Sequence, residues 1–337
     1  MKHLNLFGCA AVAAMLVSVA SCNKEEIQTP VNNETVPQQE SYSSLEWDES
    51  YHPYSDTKAG NSSMEMAVTI SNIYVGAVYE GATINDLSFR PIKKKLDPID
   101  VAYSFPRYFF DTIERPSYSS MLRSLNAAIE SPAFSGKQLE SFEYDFRQFN
   151  SYSELKLAFG ANVNVANIFN IDASANHEKI KAKSGLFARV VQKNFSVVMD
   201  YPYDGNVFEN DDDYYVVAQK DPVYVNSITY GRMGIIAIES EYSYEELKAA
   251  FKASLTVGKF GGELNLSAEN KDILEKATIR TLISGGAGAD VCQVFNGFDK
   301  FAEFIANGGE FTRDTPGVPI FFTANRVVDD SVYTSSF

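Results

Sequence analysis

Cysteine, histidine and tryptophan are scarce in this chain: its 337 residues hold three, three and one of them. The histidines stand at His3, His52 and His177, so no Ser-His or Cys-His arrangement is in prospect and an enzyme is not expected. Long apolar runs are missing beyond the N-terminus, which leaves no candidate for a transmembrane helix. No internal repeat of solenoid period is present. Positive charge is also short: 29 Lys and Arg face 44 Asp and Glu, a formal net charge of −15. Such a surface is a poor nucleic-acid ligand and is repelled by anionic lipid unless basic groups are concentrated locally. The acidic run Glu209-Asn210-Asp211-Asp212-Asp213 lacks the ligand spacing and glycine of a calcium loop, so it reads as a solvated loop. No metal or cofactor is expected.

What is present begins with a leader. Leu4 to Val19 is apolar but short, Lys2 and His3 precede it, and Val19-Ala20-Ser21-Cys22 follows. This order resembles a bacterial lipoprotein signal: residues 1–21 are removed and Cys22 becomes the lipidated first residue. An ordinary secretory peptide with an incidental cysteine is the alternative. Asn23-Lys24-Glu25-Glu26 resembles the Lys-plus-two-acidic signal of Bacteroidetes lipoproteins, which implies the outer face of the outer membrane, with the protein held there or released. Losing Lys2 with the leader takes the charge from −15 to −16. Cys9 leaves too, so the mature chain has only Cys22 and Cys292, and neither an intrachain disulfide nor a cysteine metal cluster is expected. Cys292 lies in an apolar stretch and reads as a small core residue. Residues 22–60 are polar and read as a flexible tether, leaving 61–337 as the folded part.

Within 61–337, strand-like and helix-like segments alternate irregularly. Pro116-Ser117 opens a helix with Met121, Leu122, Leu125, Ala128 and Ile129 on its apolar face. Ser243 and Glu246 form a capping box ahead of Leu247, Ala250, Phe251 and Leu255. Asn296 is the expected cap of a third helix, with Phe298, Phe301, Phe304 and Ile305 on one side and Gly308-Gly309 as its stop. Before the capping box runs a long extended segment, Val223 to Glu239, and its Gly231 and Gly234 point to a bend or bulge. Together these predict an α+β fold: a long, bent antiparallel sheet flanked by helices.

Two segments carry both periodicities. In "FNIDASANHEKIKAK" (Phe169–Lys183), Phe169, Ile171, Ala173 and Ala175 alternate with polar residues, yet the second half is charged and helix-tolerant. From Phe260 to Glu269 the apolar set Phe260, Leu264 and Leu266 alternates likewise, while Leu266, Ile273, Leu274 and Ala277 would line a helix. Alternation then returns through Ala277 and Ile279. A membrane-crossing strand needs ~9–11 alternating residues in a closed barrel, and a soluble form must hide such strands because open apolar edges aggregate. Val163 to Val198 has room for two such strands and a turn, stored as amphipathic helices until a ring assembles. Lys179, Lys181 and Lys183 would sit at the tip, where ammonium groups meet headgroup phosphates. A solvated helix face is the alternative for those lysines.

The segment "YVNSITYGRMGIIAIESEYSYEELKAAFKASL" (Tyr224–Leu255) resembles the long strand and following helix of the cholesterol-dependent, or thiol-activated, cytolysins. "LISGGAGAD" (Leu282–Asp290) is similar to their Gly-Gly bend, and "FTRDTPGVPIFFTANRVVDDSV" (Phe311–Val332) to their segment returning to the upper domain. "IYVGAVYEGATI", "PSYSSMLRSLNAAI" and "SELKLAFGANVNV" fall in the family's order upstream, so the resemblance covers about residues 62 to 337. It implies the MACPF/cytolysin fold, a bent, twisted four-stranded antiparallel central sheet flanked by two helix clusters that unfurl into transmembrane hairpins, and residues 163–198 and 256–283 match those clusters. Gly285 and Gly286 match the bend that lets a covering edge strand move away, and Tyr230, Gly231 and Arg232 match the core strand.

The chain stops at Phe337, where the path to the family's C-terminal cholesterol-reading β-sandwich would begin, and its only tryptophan, Trp47, lies in the tether. Cholesterol recognition of its own is therefore not expected. The resemblance implies a pore-forming surface lipoprotein that acts on a target membrane lipid as a ring of identical copies or with a longer cytolysin-like partner. The competing function is a non-lytic cell-surface binding or adhesion protein that keeps the fold. The two differ in whether charged substitutions at Phe169, Ile171, Leu264 and Leu266 abolish activity.

Overall fold

The chain enters its sheet through two short strands, β1 (Met66–Ala67) and β2 (Val78–Glu80), followed by one helical turn, α1 (Ala82–Asn85). The structure is a computed structural model and describes residues 65–135, 141–151, 179–258, 266–285, 293–306 and 311–334. Next come a hairpin of β3 (Ile99–Tyr103) and β4 (Phe109–Ile113), helix α2 (Tyr118–Glu130) and strand β5 (Ser141–Phe149). The long strand β6 (Ser184–Met199), the short helix α3 (Asp212–Val217) and the longer β7 (Pro222–Ser240) form the centre. Helices α4 (Tyr244–Gly258) and α5 (Ala268–Glu275) lead to β8 (Thr278–Ser284) and β9 (Gln293–Asn296). Helix α6 (Asp299–Ala306) and β10 (Val318–Arg326) complete the described elements.

Both sequence-marked helix starts use their side chains as caps. Ser117 Oγ accepts from Ser120 N, and α2 buries Met121, Leu125, Ala128 and Ile129, while Leu122, expected on the same face, is exposed. At α4, Ser243 N donates to Glu246 Oε2 at 2.8 Å and Glu246 N donates back to Ser243 Oγ, the reciprocal capping box. The third helix starts later than expected. Asn296 ends β9 instead of capping, because its pairing with Arg280 keeps it extended, and α6 begins at Asp299.

All strand pairs are antiparallel, and β6 and β7 run side by side from Ser184↔Ser240 to Val198↔Ser227. Their outer neighbours change at one level. Below it, β6 pairs with β5 and β7 with β8, which β9 follows. Above it, β6 pairs with β3 and β7 with β10, giving the order β1-β10-β7-β6-β3-β4. The changeover coincides with a β-bulge: Lys193 faces Gly231 and Phe195 faces Tyr230, so Asn194 is the extra residue.

The expected run Val223–Glu239 is thus β7, and its glycine does mark a bulge. Gly231 is where backbones crowd. A Cβ there would lie 2.1 Å from Gln192 O, and Cβ atoms on Gly285 and Gly317 would fall 2.8 Å from the Gly231 O and N. Gly285 and Gly317, with φ of +77° and +95°, turn the chain out of β8 and into β10 at this point.

Below the changeover the sheet is buried on both faces. Leu186, Ala188, Val190, Ile236, Ile238 and Ile279 face α4, α5 and α6. Phe187, Val191, Met233, Ile235 and Leu282 face a second core with Phe149, Ile180, Ile320 and Phe321. Double burial explains why β7 reads as nearly continuous apolar sequence and not as clean alternation. It also corrects the expected cluster boundaries. Residues 184–198 are already a sheet strand, as are 278–283, because their apolar residues have a core on each side. Of the two connections, the one joining β7 to β8 (241–277) carries α4 and α5, while residues 152–178 of the one joining β5 to β6 lie outside the described residues.

Replacing Gly231 with alanine should cost about 3 kcal/mol of unfolding free energy, an overpacking cost. Gly205→Ala, whose Cβ would meet nothing within 4 Å at φ +78°, should cost only about 1 kcal/mol of left-handed strain. Urea unfolding of both variants tests the ranking, and equal losses would mean that the crowding at Gly231 relaxes away.

Candidate functional site

Strand β8 pairs with β7 on one edge and, among the described residues, with β9 over four positions on the other, from Arg280↔Asn296 to Ile283↔Gln293. Thr281 Oγ1 donates to Gly297 O at 2.9 Å, and Gly297 N to Ile279 O at 3.1 Å, closing the end of this cover. At the opposite side of the lower sheet, β5 presents a nine-residue strand whose partner among the described residues is β6 alone. Among the described residues the lower sheet therefore has a nine-residue edge at β5 and an edge at β8 covered over four positions.

The cover is held down by α6. Phe298, Phe301 and Phe304 are buried against Phe251 of α4, with ring centroids 5.7 Å (Phe251–Phe298) and 6.0 Å (Phe251–Phe301) apart. Gly234 makes room for them: a Cβ there would be 2.7 Å from the Phe304 ring. Arg232, one residue beyond the crowded glycine, is the polar part of this latch. Its Nη2 donates to Phe304 O at 3.0 Å and its Nη1 to Gln192 Oε1 at 3.3 Å. Its guanidinium also lies 4.8 Å from the centroid of the Phe304 ring, a cation–π contact strengthened by exclusion of water. Desolvation pulls the Arg232 pKa below its ordinary value. One side chain thus links the bulged strand, the core strand and the covering helix.

The helices on the sheet are tied separately. Tyr242 Oη and Lys276 Nζ both donate to Asp272 Oδ2, at 2.5 and 2.8 Å, fixing α5 to the end of β7. The bonds from Lys276 and then Tyr242 hold the Asp272 carboxyl below the ordinary aspartate range. No helix among the described residues is long and apolar enough to cross a membrane, which leaves crossing by strands open. Among the described residues no group of three or more His, Cys, Asp or Glu could hold a metal ion.

The sequence-marked residues are brought together in part. Tyr230 is buried and stacks on Phe195 with centroids 4.9 Å apart, beside Gly231, Arg232 and Gly285. Gly286 lies outside the described residues, as do Phe169, Ile171, Ala173, Ala175, Phe260, Leu264 and, at the other end of the chain, Cys22. Lys179, Lys181 and Lys183 are exposed and stand directly before β6, at the base of the β5–β6 connection, because β6 begins at Ser184 and not further on. Leu266 and Ala277 pack on the α4–α6 core, and Ile279 is buried in β8. Sequence reasoning missed Gln192, Asn194 and Gly317. The Pro316-Gly317 dipeptide was a readable turn signal, but nothing local marks Gln192 or Asn194.

Residues 68–335 match the family model of the thiol-activated cytolysins. Tetanolysin of Clostridium tetani is 26% identical over 277 residues, 77% of this chain and 51% of the relative. Pneumolysin of Streptococcus pneumoniae is 26% identical over 238 residues, 67% of this chain and 49% of the relative. Among solved structures, wild-type pneumolysin superposes with a TM-score of 0.58 at 24% identity, covering 80% of this chain and 60% of that one. Listeriolysin O gives 0.59 at 21% identity, covering 80% and 59%. At these identities the superpositions establish the fold. The chain spans about half the length of these curated relatives.

Two outcomes follow for the latch. Arg232→Met removes two donors and the cation over Phe304, roughly 2 kcal/mol for bonds from a charged group. Hydrogen exchange in 293–306 should then quicken about thirty-fold while β6 and β7 keep their protection; unchanged exchange there would remove Arg232 from the latch. A carboxyl with a depressed folded pKa stabilises above its unfolded value of ~3.9 and ceases to as pH falls through the folded one. Proteolysis of α5 should therefore rise as pH drops below about 4, and Asp272→Asn should flatten that dependence.

Proposed function

The chain belongs to the thiol-activated cytolysin family, pore-forming toxins and not enzymes, and from that premise we propose that it is a pore-forming surface lipoprotein assembling into a ring. Cys22 carries the lipid that holds it to the outer face of the outer membrane, and residues 22–60 are the tether. In the ring, β9 and α6 swing off β8, and the freed edge pairs with β5 of the next copy. This contact is heterologous, the kind that closes into a ring when the rotation fits. The connections 150–183 and 241–277 then extend as hairpins, with Phe169, Ile171, Ala173, Ala175, Phe260, Leu264 and Leu266 facing lipid. In a closed barrel every backbone group finds a partner, which an open sheet in lipid would not allow. The ring forms from this chain alone or with a longer cytolysin-like partner that supplies membrane recognition.

One observation carries the reading. Among the described residues the edge of β8 is covered over four positions, while the β5 edge that would replace the cover is nine residues long.

A cross-strand disulfide tests the release. The bond from Gly297 N to Ile279 O makes Arg280 and Asn296 a non-hydrogen-bonded pair by alternation, with Cα atoms about 4.5 Å apart, within disulfide reach. In a Cys292→Ser background, Arg280→Cys with Asn296→Cys should fold normally and, when oxidised, leave dye-loaded vesicles intact, with leakage restored by reductant. Undiminished leakage from the oxidised protein would overturn the release of β9. Absence of leakage and of rings by electron microscopy across vesicle compositions, with and without a longer partner, would overturn the pore.

A further inference from the structure

Strand β4 ends the upper sheet on one side, and among the described residues its partner in the ladder is β3 alone. Two bonds fix how its backbone is turned. Ser104 N donates to Ser196 O at 2.9 Å and Asp200 N to Asp100 O at 3.0 Å, so the even residues of β3 turn to β6. The odd residues of β3 then turn to their partners Phe109, Asp111 and Ile113. By alternation, the N–H and C=O groups of Phe110 and Thr112 point away from the sheet, where a further strand would pair.

The sheet face beside this edge is apolar and open. Phe110, Ala102 and Val198 are cross-strand partners on β4, β3 and β6. Phe110 is 70% exposed and Val198 42%, and Tyr108, 66% exposed, stacks on Phe110 with centroids 6.0 Å apart. Arg107 and Arg115 flank the strand, both exposed and without a carboxylate partner among the described residues. An apolar edge of this kind recruits other chains unless something covers it.

The chain carries a matching segment ahead of Glu65. Residues 23–64 lie outside the described residues, and their four aromatic residues, Tyr42, Trp47, Tyr51 and Tyr54, all fall within 42–54. A solvated polar tether is poor in aromatics, so this stretch differs in kind from the sequence on either side. In a strand, Leu45, Trp47, Glu49 and Tyr51 would share one face, and Glu46, Asp48 and Ser50 the other. Its charged residues, Glu46, Asp48 and Glu49, are all acidic, opposite in sign to the two arginines that flank β4. The reach is sufficient. Met66, Phe322, Ile228, Val197, Tyr103 and Phe109 are successive partners across the sheet. Five strand spacings, about 24 Å, therefore separate β1 from β4. The ten residues between Tyr54 and Glu65 extend to about 33 Å.

From these observations we infer that residues 42–54 dock on β4 of their own copy, adding a strand to its open edge with Trp47 on the Phe110 face. Strand addition takes its affinity from main-chain bonds and its register from alternate side chains. Here the Phe110–Ala102–Val198 row supplies the apolar contact, and Arg107 and Arg115 supply the charge. The part of the tether left free is then 23–41. The inference stands whether or not Cys22 is lipidated and whether or not the chain forms pores.

Trp47 is the sole tryptophan, so its fluorescence reports on this segment directly. In the mature chain with Cys22→Ser, acrylamide should quench Trp47 at least about fivefold less than in the same chain in urea, as for an indole packed on a protein face. That protection should not change on dilution. Phe110→Ser removes the apolar contact, and Thr112→Pro removes an outward N–H while sparing the ladder to β3. Each should raise quenching to the urea value with an unchanged circular dichroism spectrum. Tyr203→Ser, at an exposed tyrosine outside the row, should leave Trp47 protected. Quenching of the native chain equal to that in urea would overturn the inference. So would protection that survives both Phe110→Ser and Thr112→Pro, or protection lost on dilution, which would mean a contact between copies.

Discussion

The changeover in the sheet depends on one close approach, that of the Gly231 backbone to Gln192 on one side and to Gly285 and Gly317 on the other. Four strands exchange neighbours at that level, and a single Cβ at Gly231 would overlap a carbonyl oxygen. The contacts around it follow. Asn194, extra on β6, is buried and donates through Nδ2 to Pro316 O at 2.7 Å, while its Oδ1 has no partner among the described residues. A buried acceptor left unmade costs about 1–3 kcal/mol. Lys193 reaches back to Glu65, both carboxylate oxygens at 2.9 Å, and joins the first described residue of the chain to the bulge. The junction is therefore crowded, held from both ends of the folded chain, and carries a local cost.

Much of this was legible in sequence because the strongest signals were local. The glycines of "YGRMG" sit in an otherwise unbroken β-branched and aromatic run, and a strand with such glycines has few uses other than a bend or a packed crossing. Caps at Ser117 and Ser243 were readable for the same reason: one side chain three residues from its partner. The boundaries of the expected hairpin segments were not. Alternation through Ala277 and Ile279 identifies a strand, but period two is the same whether the two faces meet lipid and water or two protein cores. Leu122 and Asn296 failed differently: tertiary packing left one side of α2 uncovered, and pairing with β8 overrode a local cap.

Charge sets the conditions under which copies of this chain meet. At −15 each, free molecules repel, and the proposed ring has to form against that repulsion as well as against the loss of translational freedom. Confinement to a surface through Cys22, as proposed, lowers the second cost by holding copies at high local concentration. Salt would lower the first by shortening the reach of the repulsion.

The exchange at β8 can be weighed in the same terms. The cover consists of four ladder positions, the Thr281–Gly297 bond and the phenylalanine cluster on Arg232. Strand β8 has seven residues, so a nine-residue β5 edge from a neighbour could pair along all of it. Net ladder bonds are worth about 1 kcal/mol each, so the gain along β8 itself is only a few kcal/mol. It is set against lifting three buried phenylalanines, each about 1.5–3 kcal/mol of burial. Edge pairing alone therefore does not release the cover. The balance turns only if the phenylalanines find a new apolar surface or if the connections proposed as hairpins gain more by entering lipid than the release costs. In the proposed pore, insertion and release must be coupled, and a copy without neighbours or a membrane stays closed.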